Sequence, residues 1–561
     1  MVSPSNGKVL LGLGMASRSR LFPALPGALW KSRGQLRFGL DVLRYGVCDA
    51  CSLGSHGLSD SRAAGVHLCG LRLEQLQRWT CGALRIEELP DMATLRSLDA
   101  DSLRSLGRLP FPMLRRAGAD RFQAIQWRDA DKLIASRLAD HPERWSLWLD
   151  PKSSSNEGYF AFDRLAQDLQ ARRHSLLVPL GYKRCQEALF DCFGASASTA
   201  SLADIENADL ILVCGDLGTA HPLLPQWLQQ ARSRGAELAA FAKTTTSVDA
   251  SALECRAGAE EQFLAGCLKA ALAGDATPKA QVADFEALQA RVARWQWPEL
   301  ESAAGTSRQH MEALAASLLQ AERVVIVVAE DFAASENGPA CVRTLLALSL
   351  VVGAVGRPGS GILTLGGGSA GQGAQDVGIA LSAAPEQAAL GEDQVLYAVG
   401  TALSDGLDSS LFDSEALSQL PVRVHQGHFL DPSMLLDATE FTLLLPMQSR
   451  YEQRGGATVT SIDRWIRFSP EVRGHPVGEA RPDWQIPAEL VTRISEVFSD
   501  RWAWPGAANV RNAIDKAMPR YAGIVDLHAP AQALQWGGST LHSDCFATED
   551  GLAHIDLDAL R

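Results

Sequence analysis

Short apolar segments that end at a glycine, each followed by a helical pattern, constrain the fold of this chain most strongly. In the clearest case, a strand pattern over 208–216 ends at Gly215, and an amphipathic helix over 223–233 leads into a second strand over 236–242. Such βαβ units favour a parallel sheet with ligands at the carboxyl ends of the strands. The strand pattern recurs over 323–329, 394–399 and 441–445. With 561 residues, the sequence therefore predicts a multi-domain α/β protein with at least two Rossmann-like lobes.

A long, non-repetitive glycine-rich stretch follows the strand pattern at 323–329. It comprises residues 353–361 and 366–373. Backbone without Cβ atoms can approach a phosphate or a flat ring closely. The composition is compatible with a loop that lines a ligand site and equally with a plain glycine loop.

Charge and hydropathy restrict the classes of partner. A formal net charge of −13 disfavours a nucleic-acid surface, because phosphate binding needs clustered Lys and Arg. A basic stretch over 18–44 fits a solvated N-terminal arm as well as a binding surface. No run of 18 or more apolar residues is present, so no membrane span is expected. The odd number of cysteines, eleven, argues against a secreted disulfide framework and predicts a cytoplasmic location.

Three cysteines in the first part of the chain have a spacing that is typical of a metal centre. Two residues separate Cys48 from Cys51, so that one loop turn can present both thiolates to a metal, and Cys69 follows soon after. The spacing favours a [4Fe–4S] cluster, while a zinc site of the Cys3His type and the absence of any metal remain alternatives. The candidates for a fourth ligand are Cys81, His67, His56 and Ser55.

Ordered motifs along most of the chain resemble those of one known family. The motifs are Tyr45–Cys51, Gly65–Cys69, Leu106–Arg116, Ile125–Ala130, Ser155–Glu157, Gly194–Thr199, His221–Pro222, Val355–Gly361, Gly371–Gly378, Ser449–Gln453, Ile466–Pro470 and Gly478–Trp484. In this order and spacing, from about residue 40 to about residue 553, the chain is similar to the alpha subunits of formate-dehydrogenase-like molybdopterin oxidoreductases.

The resemblance implies a molybdopterin-oxidoreductase fold around a bis-molybdopterin guanine dinucleotide that carries Mo or W, with a [4Fe–4S] cluster near the pterin. It also implies which residues bind the dinucleotide, and these coincide with the predicted strand ends. They are Asn156, Gly215, Asp216, His221, Pro222, Gly371, Gln372, Gly400 and Asp405.

The chain departs from this family at three places. The slot for a Cys or selenocysteine ligand to the metal falls on Gly181, which has no side chain, and Cys185 one helical turn later is a substitute ligand of lower odds. The loop after Ala242, which usually begins Asn-Pro, reads Lys243-Thr244 here. The sequence ends at Arg561, so we expect the C-terminal β-barrel cap domain of the family to be absent or supplied by another chain.

These observations divide the chain into five expected segments. They are an N-terminal arm (1–45), an iron–sulfur segment (46–115), a first Rossmann-like lobe with a helical extension (116–300), a second Rossmann-like lobe (301–520) and a C-terminal tail (521–561).

The function predicted from the sequence is that of an electron-transferring subunit of the molybdopterin oxidoreductase class, without a protein ligand to the metal. The alternative is a catalytically degenerate scaffold or electron-transfer subunit that has no Mo or W chemistry, since a fold does not guarantee a function. Both readings imply a partner subunit, either a covering domain or an electron acceptor. Neither identifies a substrate.

Overall fold

The computed structural model of the chain describes residues 26–560, apart from 29, 31, 61, 63–64, 141–142, 218–219, 242–248, 274–280, 383–392, 401–413 and 559. Its strands, numbered β1 to β16 in chain order, form three sheets. Two of these sheets are large and mainly parallel, and each is the centre of one lobe. The α/β class and the parallel sheets predicted from the sequence are therefore confirmed.

The eight-stranded sheet has the order β10-β4-β3-β11-β12-β13-β1-β2. Six strands, from β10 to β13, are parallel, β1 pairs antiparallel with β13, and β2 pairs antiparallel with β1. The strands are β1 (Met113–Arg116), β2 (Gln123–Ala124), β3 (Trp145–Leu149), β4 (Arg173–Leu177), β10 (Ala380–Ser382), β11 (Val395–Val399), β12 (Val422–Gly427) and β13 (Phe441–Pro446).

The five-stranded sheet is parallel throughout and has the order β7-β6-β5-β8-β9. Its strands are β5 (Leu210–Cys214), β6 (Glu237–Phe241), β7 (Ser251–Leu253), β8 (Val324–Val328) and β9 (Gly361–Thr364). Alternate residues of β5 belong to different apolar clusters: Leu210 and Leu212 to one, Ile211 and Val213 to another. Both faces of the sheet are thus covered, which explains why its strands read as continuous apolar runs.

A small antiparallel sheet and a set of helices complete the fold. The sheet consists of β14 (Ala457–Thr460), β15 (Trp465–Ser469) and β16 (Ala533–Gln535). The α-helices are Leu36–Tyr45, Gly70–Trp79, Met92–Arg96, Ala100–Ser105, Trp127–Asp140, Asn156–Asp168, Leu180–Phe193, Leu202–Asn207, Leu224–Ser233, Glu260–Leu272, Phe285–Ala293, Trp297–Ala304, Arg308–Gln320, Glu330–Ala334, Gly338–Val351, Gly371–Asp376, Ser414–Gln419, Gln485–Ile494 and Ala507–Ala517.

The order of the strands shows how the two lobes are connected. The strands β3 and β11 pair with each other although more than 200 residues of chain separate them. The whole five-stranded lobe is inserted between β4 and β10, so strands on both sides of residue 300 contribute to each large sheet. The division expected at residues 300/301 therefore does not separate the two sheets, because parallel pairing lets strands that are distant in sequence become neighbours.

Among the residues that the structure describes, no helix is long and apolar enough to cross a membrane.

Candidate functional site

The carboxyl ends of strands from both large sheets meet at one glycine-rich segment, residues 366–373, which we call the interlobe loop. The loop follows β9, and Gly366, Gly367 and Gly368 have φ angles of 125°, 71° and 69°. Glycine adopts such angles without the strain that a Cβ atom brings. On the side of the other lobe, the Ala370 amide donates to the Pro151 carbonyl oxygen (3.0 Å), just past the end of β3. The loop is therefore shared by the two lobes.

Two carboxylates after β8 lie against glycines of the neighbouring strand ends. A Cβ atom at Gly366 would overlap Glu330 Oε1, and a Cβ atom at Gly215 would lie 2.5 Å from Asp331 Oδ1. The same Asp331 oxygen accepts a hydrogen bond from the Asp216 amide (2.8 Å). The ends of β5, β8 and β9 thus pack together, with the side chain of Glu330 against Gly366 and that of Asp331 against Gly215.

Glu330 is a titrating group near neutral pH. Burial raises its pKa to about 7, and the neighbouring Lys152 ammonium and the Gly367 N–H, which hydrogen-bonds the carboxylate, oppose the rise. Lys152 follows β3 and is itself exposed. The interlobe loop therefore lies beside a carboxyl group of one lobe, that of Glu330, and an ammonium group of the other, that of Lys152.

Gly181, the slot expected for a metal-binding thiolate, lies in the first turn of the helix Leu180–Phe193 and is buried. A Cβ atom there would overlap the Glu330 carbonyl oxygen and lie 2.7 Å from the Glu330 carbonyl carbon and 3.0 Å from the Ala334 amide nitrogen. These atoms are backbone, so no flexible side chain can move aside. Glycine at this position is required by the packing of two helices.

Cys185, the substitute ligand, lies in the apolar core. It belongs to the cluster that covers one face of the five-stranded sheet, together with Leu189 and Leu212. Burial, with a smaller contribution from Glu330, raises the pKa of the Cys185 thiol to about 12. A thiol that stays protonated is a poor metal ligand. A ligand role for Cys185 stays a prediction.

Gly400 and Gly371 approach the end of β3 from two directions. A Cβ atom at Gly400 would overlap the Asp150 carboxylate and lie 2.5 Å from Ser153 Oγ, and a Cβ atom at Gly371 would lie 3.2 Å from Pro151 Cβ. The structure thus brings the glycines after β5, after β11 and in the interlobe loop into one connected region. Asp405, the last dinucleotide candidate, lies outside the described residues.

The other two interlobe candidates make hydrogen bonds within the protein. Asn156 Nδ2 donates to Thr458 Oγ1 (3.2 Å), and Asn156 Oδ1 accepts from Thr460 Oγ1 (3.1 Å). Gln372 Nε2 donates to the Ser196 carbonyl oxygen and to Asp376 Oδ1, at 3.0 Å each. These contacts fix the helices that flank the loop, and direct contact with a cofactor stays a prediction for both residues.

His221, which Pro222 follows, links the cysteine segment to the five-stranded lobe. Its Nε2 and Ser52 Oγ are 2.8 Å apart and share a hydrogen bond, and Ser52 is the residue after Cys51. Burial, together with the Lys152 charge, lowers the pKa of His221 to about 4. His221 is therefore a neutral group near pH 7, next to the cysteines and within reach of the field of Lys152.

The three predicted ligand cysteines lie close enough for their charges to interact. The pKa of Cys51 is raised first by burial and then by the charges of Cys48 and Cys69. Burial also raises the pKa of Cys69 to about 11, with Cys48 as the next contribution. The pKa of Cys48 is likewise raised by burial, against the lowering effect of Arg72 and Arg450. Cys48 and Cys69 are thus buried and Cys51 is half-buried, and their charges act on one another.

The four candidates for a fourth ligand have different surroundings. The Ser55 carbonyl oxygen accepts from the Cys48 amide (2.8 Å), and His56 Nε2 accepts from the Ala531 amide (3.0 Å). The ring of His67 packs at 5.3 Å from that of Trp227. Burial raises the pKa of the Cys81 thiol to about 11, and the charges that act on it are those of Arg108 and Glu452. The fourth ligand stays a prediction.

Within the described part of the chain, no group of three or more His, Cys, Asp or Glu side chains forms a ready site for a metal ion. The compact ligand set of a Cys3His zinc site is thus not assembled among these residues. A cluster differs from a single ion because its thiolates bind different iron atoms and therefore stand further apart. Cluster binding by the three cysteines stays a prediction.

Three further residues of the site were given no role from the sequence. Glu330 and Lys152 follow β8 and β3, and Arg450 lies in a motif quoted for the resemblance. Arg450 donates to the Lys152 carbonyl oxygen (2.7 Å) and to Ser369 Oγ (3.1 Å), and it lowers the pKa of Cys48. It thereby connects the cysteine segment with the interlobe loop. Its place in the motif Ser449–Gln453 is the signal that could have identified it.

Comparisons with known proteins identify the family of the chain. A family model described as molybdopterin oxidoreductase matches residues 108–493, more than half of the chain. The F420-dependent formate dehydrogenase subunit alpha of Methanocaldococcus jannaschii is 22% identical over 81% of this chain and 73% of that subunit. Protein YdeP of Escherichia coli is 23% identical over 75% of this chain and 65% of that protein. Among solved structures, acetylene hydratase from Pelobacter acetylenicus superposes with a TM-score of 0.67 and 15% identity, covering 92% of this chain and 79% of that one.

Proposed function

Because the chain belongs to the molybdopterin oxidoreductase family, we propose that it is a formate-dehydrogenase-like subunit that takes part in electron transfer. Membership of the family implies a molybdopterin cofactor with Mo or W. We further propose a [4Fe–4S] cluster on Cys48, Cys51 and Cys69, and a bis-molybdopterin guanine dinucleotide at the interlobe loop. The cofactor supplies the oxidation–reduction chemistry when bound, and the protein positions and insulates it.

One observation carries this proposal: an arginine that hydrogen-bonds the interlobe loop also acts electrostatically on one of the three cysteines. Arg450 contacts Ser369 and acts on Cys48, while Ser52, next to Cys51, hydrogen-bonds His221. An electron carrier held by the cysteines would therefore lie beside a ligand held by the loop. This proximity is what an electron-transferring subunit needs.

The residues at the loop fit a polar ligand. Arg450 Nη1 and Ser154 Oγ are buried and have no hydrogen-bond partner among the described residues, and Ser154 follows β3. Unpaired buried polar atoms are costly, so a ligand that pairs with them gains affinity. The glycines at 215, 371 and 400 would let phosphates or rings approach the backbone, with Asp216, Asn156, Gln372, His221 and Pro222 around them. Gly181 offers no ligand to the metal, so we propose a metal held without a protein thiolate.

We also propose that the chain works with another protein subunit, which covers the cofactor or accepts electrons. Two matched relatives, from Methanocaldococcus jannaschii and Methanococcus maripaludis, are named as alpha subunits. Co-purification of a tagged full chain from its native cells would recover such a subunit in constant proportion.

Metal and pterin analysis of anaerobically purified protein tests the function. We expect about four irons per chain, Mo or W, and a pterin. Cys51→Ala should lose the iron, whereas Cys545→Ala, which changes an exposed cysteine, should retain it. One zinc and no iron would overturn the cluster, and a full complement of iron without pterin would overturn the dinucleotide.

A further inference from the structure

Four side chains from separate parts of the chain form one buried line of hydrogen bonds next to the interlobe loop. The line begins at Asp376, the last residue of the helix Gly371–Asp376, which we call the interlobe helix. Asp376 Oδ2 and the Tyr521 hydroxyl oxygen are 2.8 Å apart. Thr460 Oγ1 lies 2.7 Å from the Tyr521 hydroxyl oxygen and 3.1 Å from Asn156 Oδ1. The Asp376 carboxyl group is only 2% exposed, and the other three side chains are buried.

The contact at the Asn156 end of the line is oriented by residues on its far side. The Glu157 carboxylate pairs with Arg511 at 2.9 Å and accepts the hydroxyl proton of Thr458 (3.1 Å). Thr458 Oγ1 therefore accepts from Asn156, which places Nδ2 toward Thr458 and Oδ1 toward Thr460. Since an amide oxygen only accepts, the Thr460 hydroxyl group donates its proton to Asn156.

The number of available protons decides what the rest of the line needs. Thr460 gives its single hydroxyl proton to Asn156, so it must accept in its contact with Tyr521. Tyr521 then gives its own proton to Thr460 and must accept in its contact with Asp376. A carboxylate has no proton to donate, whereas a protonated carboxyl group has one. All three contacts are therefore satisfied only when Asp376 Oδ2 carries a proton.

The other oxygen of Asp376 is placed as the carbonyl oxygen of such a carboxyl group. Asp376 Oδ1 accepts from Gln372 Nε2 (3.0 Å), and Arg520 Nη1 lies 3.5 Å from it. The charge of Asp376 also acts on Arg464 and Tyr182, and the positive charges of the two arginines favour the ionised carboxylate. Burial outweighs them and raises the pKa of Asp376 to about 6.

The line joins elements that carry residues proposed to bind the ligand. The interlobe helix carries Gln372, and Asn156 lies at the opposite end of the line. A Cβ atom at Gly373 would overlap Asn156 Oδ1, so the interlobe helix packs directly against this end. When Asp376 loses its proton, one of the three contacts has no hydrogen between its two oxygen atoms and becomes unfavourable.

We propose that Asp376, Tyr521 and Thr460 form a proton-dependent brace that positions Asn156 and the interlobe helix for the ligand, and that the brace is complete only while Asp376 is protonated. Raising the pH from 5 to 8 then loosens the interlobe helix. The brace deepens the proposed function, on which the ligand roles of Asn156 and Gln372 rest, because it makes that site respond to pH. Its own hydrogen bonds need neither iron nor pterin.

Infrared difference spectroscopy of the full chain tests whether Asp376 holds the proton. At pH 5, the spectrum of the wild type minus that of Asp376→Asn should contain the C=O band of a protonated carboxyl group. The band should disappear at pH 8, because the carboxyl group ionises as the pH rises through about 6. The matched control, Asp526→Asn, changes an exposed aspartate near Tyr521 in sequence and should give no such band at pH 5. Absence of the Asp376 band at pH 5 refutes the brace.

Hydrogen exchange of the interlobe helix tests whether the proton holds this helix in place. Asp376→Asn can donate to Tyr521 and accept from Gln372 at every pH, so it imitates the protonated carboxyl group. At pH 8, the amides of the interlobe helix should exchange about fivefold faster in the wild type than in Asp376→Asn, the factor that one hydrogen bond is worth in a local opening equilibrium. At pH 5, and for the helix Leu224–Ser233 at either pH, the two proteins should exchange alike. Equal exchange of the interlobe helix at pH 8 refutes the brace.

A second substitution shows whether the effect passes through the line of hydroxyl groups. Tyr521→Phe breaks the line, so in that background Asp376→Asn should no longer slow the exchange of the interlobe helix at pH 8. The same slowing in that background would mean that Asp376 acts through Arg520 or Gln372 alone, which refutes the brace. Thermal unfolding confirms that each variant is folded, and the comparisons of the wild type with Asp376→Asn do not depend on Tyr521→Phe.

Iron and pterin contents of the same preparations separate this inference from the proposed function. Protein that contains both but shows neither the infrared band nor the exchange difference refutes the brace alone. Protein without iron or pterin that shows both responses refutes the proposed function and leaves the brace standing. Where pterin is present, dialysis at pH 8 should release more of it from the wild type than from Asp376→Asn, and equal release would refute a role of the brace in holding the ligand.

Discussion

The cysteine segment and the Gly181 position are the two places where the resemblance implies a metal ligand, and they differ in what surrounds them. In the segment, the charges of Cys48 and Cys69 act on Cys51, and a shared metal centre stays a prediction. At Gly181, the space that a ligand side chain would need is filled by the backbone of Glu330. The cysteines lie on loops, where the geometry of the turn decides whether a side chain can reach a metal. Gly181 lies between two helices, where close packing decides which residue fits.

The cysteine segment is fastened to the body of the protein by buried ion pairs. Arg62 pairs with Asp60 at 2.8 Å and with Asp463 at 2.9 Å, and Arg467 pairs with Asp60 at 3.3 Å. Arg62 also donates to the Leu53 carbonyl oxygen (2.8 Å), next to the cysteine loop. The arginines hold the pKa values of Asp60 and Asp463 below the usual range, despite the opposing effect of burial.

The largest effect on stability is expected when these buried ion pairs are removed. Arg62→Ala leaves two buried carboxylates without their main partner, which should cost about 3–5 kcal/mol in the free energy of unfolding. Arg85→Ala removes one member of an exposed ion pair and should cost less than about 1 kcal/mol. Urea unfolding measures both, and iron content reports on the segment. A loss for Arg62→Ala no larger than for Arg85→Ala would show that the segment is held by other contacts.

A substitution at Gly181 should lower the free energy of unfolding by less than Arg62→Ala does. Gly181→Ala introduces a Cβ atom against the Glu330 backbone, and overpacking of this kind costs about 1–3 kcal/mol. Gly82→Ala is the matched control, since a Cβ atom there meets nothing within 4 Å. Thermal unfolding compares the two. If Gly181→Ala were as stable as Gly82→Ala, the slot would have room for a side chain, and a ligand could be restored there by Gly181→Cys.

The sequence predicted the strands of this fold better than their arrangement. The apolar run around Leu212 identifies β5, because burial on both faces leaves a continuous pattern. The pattern does not reveal that the five-stranded lobe is inserted between β4 and β10, since strand order depends on contacts between distant segments. At the site, the cysteines and strand-end glycines were identified from spacing. Glu330 was missed because its significance comes from Gly181 and Gly366, which meet it only in three dimensions.

The carboxyl group of Glu330, whose backbone packs against Gly181, should make the free energy of unfolding depend on pH. Because burial raises its pKa in the folded state to about 7, above the ordinary value of 4.5, folding favours the protonated carboxyl. This stabilising contribution is fully present below pH 4.5 and is lost as the pH rises through 7. Glu330→Gln keeps a neutral side chain at every pH. It should therefore be more stable than the wild type at pH 8, on the order of 1–2 kcal/mol, with no difference near pH 4.

Unfolding measured from pH 4 to pH 8 checks this expectation, and Glu336→Gln should follow the wild-type curve throughout. Parallel curves for the wild type and Glu330→Gln would mean that folding leaves the pKa of this carboxyl at its ordinary value, and that burial does not favour its protonated form.

The smallest effect is expected in an assay of formate oxidation, because formate is the substrate that the relatives' names indicate. The isolated chain should show no formate-dependent dye reduction, even with a full cluster, because Gly181 supplies no thiolate and the packing against Glu330 leaves no room for one. The measurement is anaerobic dye reduction by protein whose iron, Mo or W and pterin contents are known. Robust activity would contradict this reading and would require a metal held by non-protein ligands or by Cys185. In that case, loss of activity in Cys185→Ser with unchanged cluster iron would identify Cys185 as the ligand, since burial makes its thiol unreactive unless a metal displaces the proton.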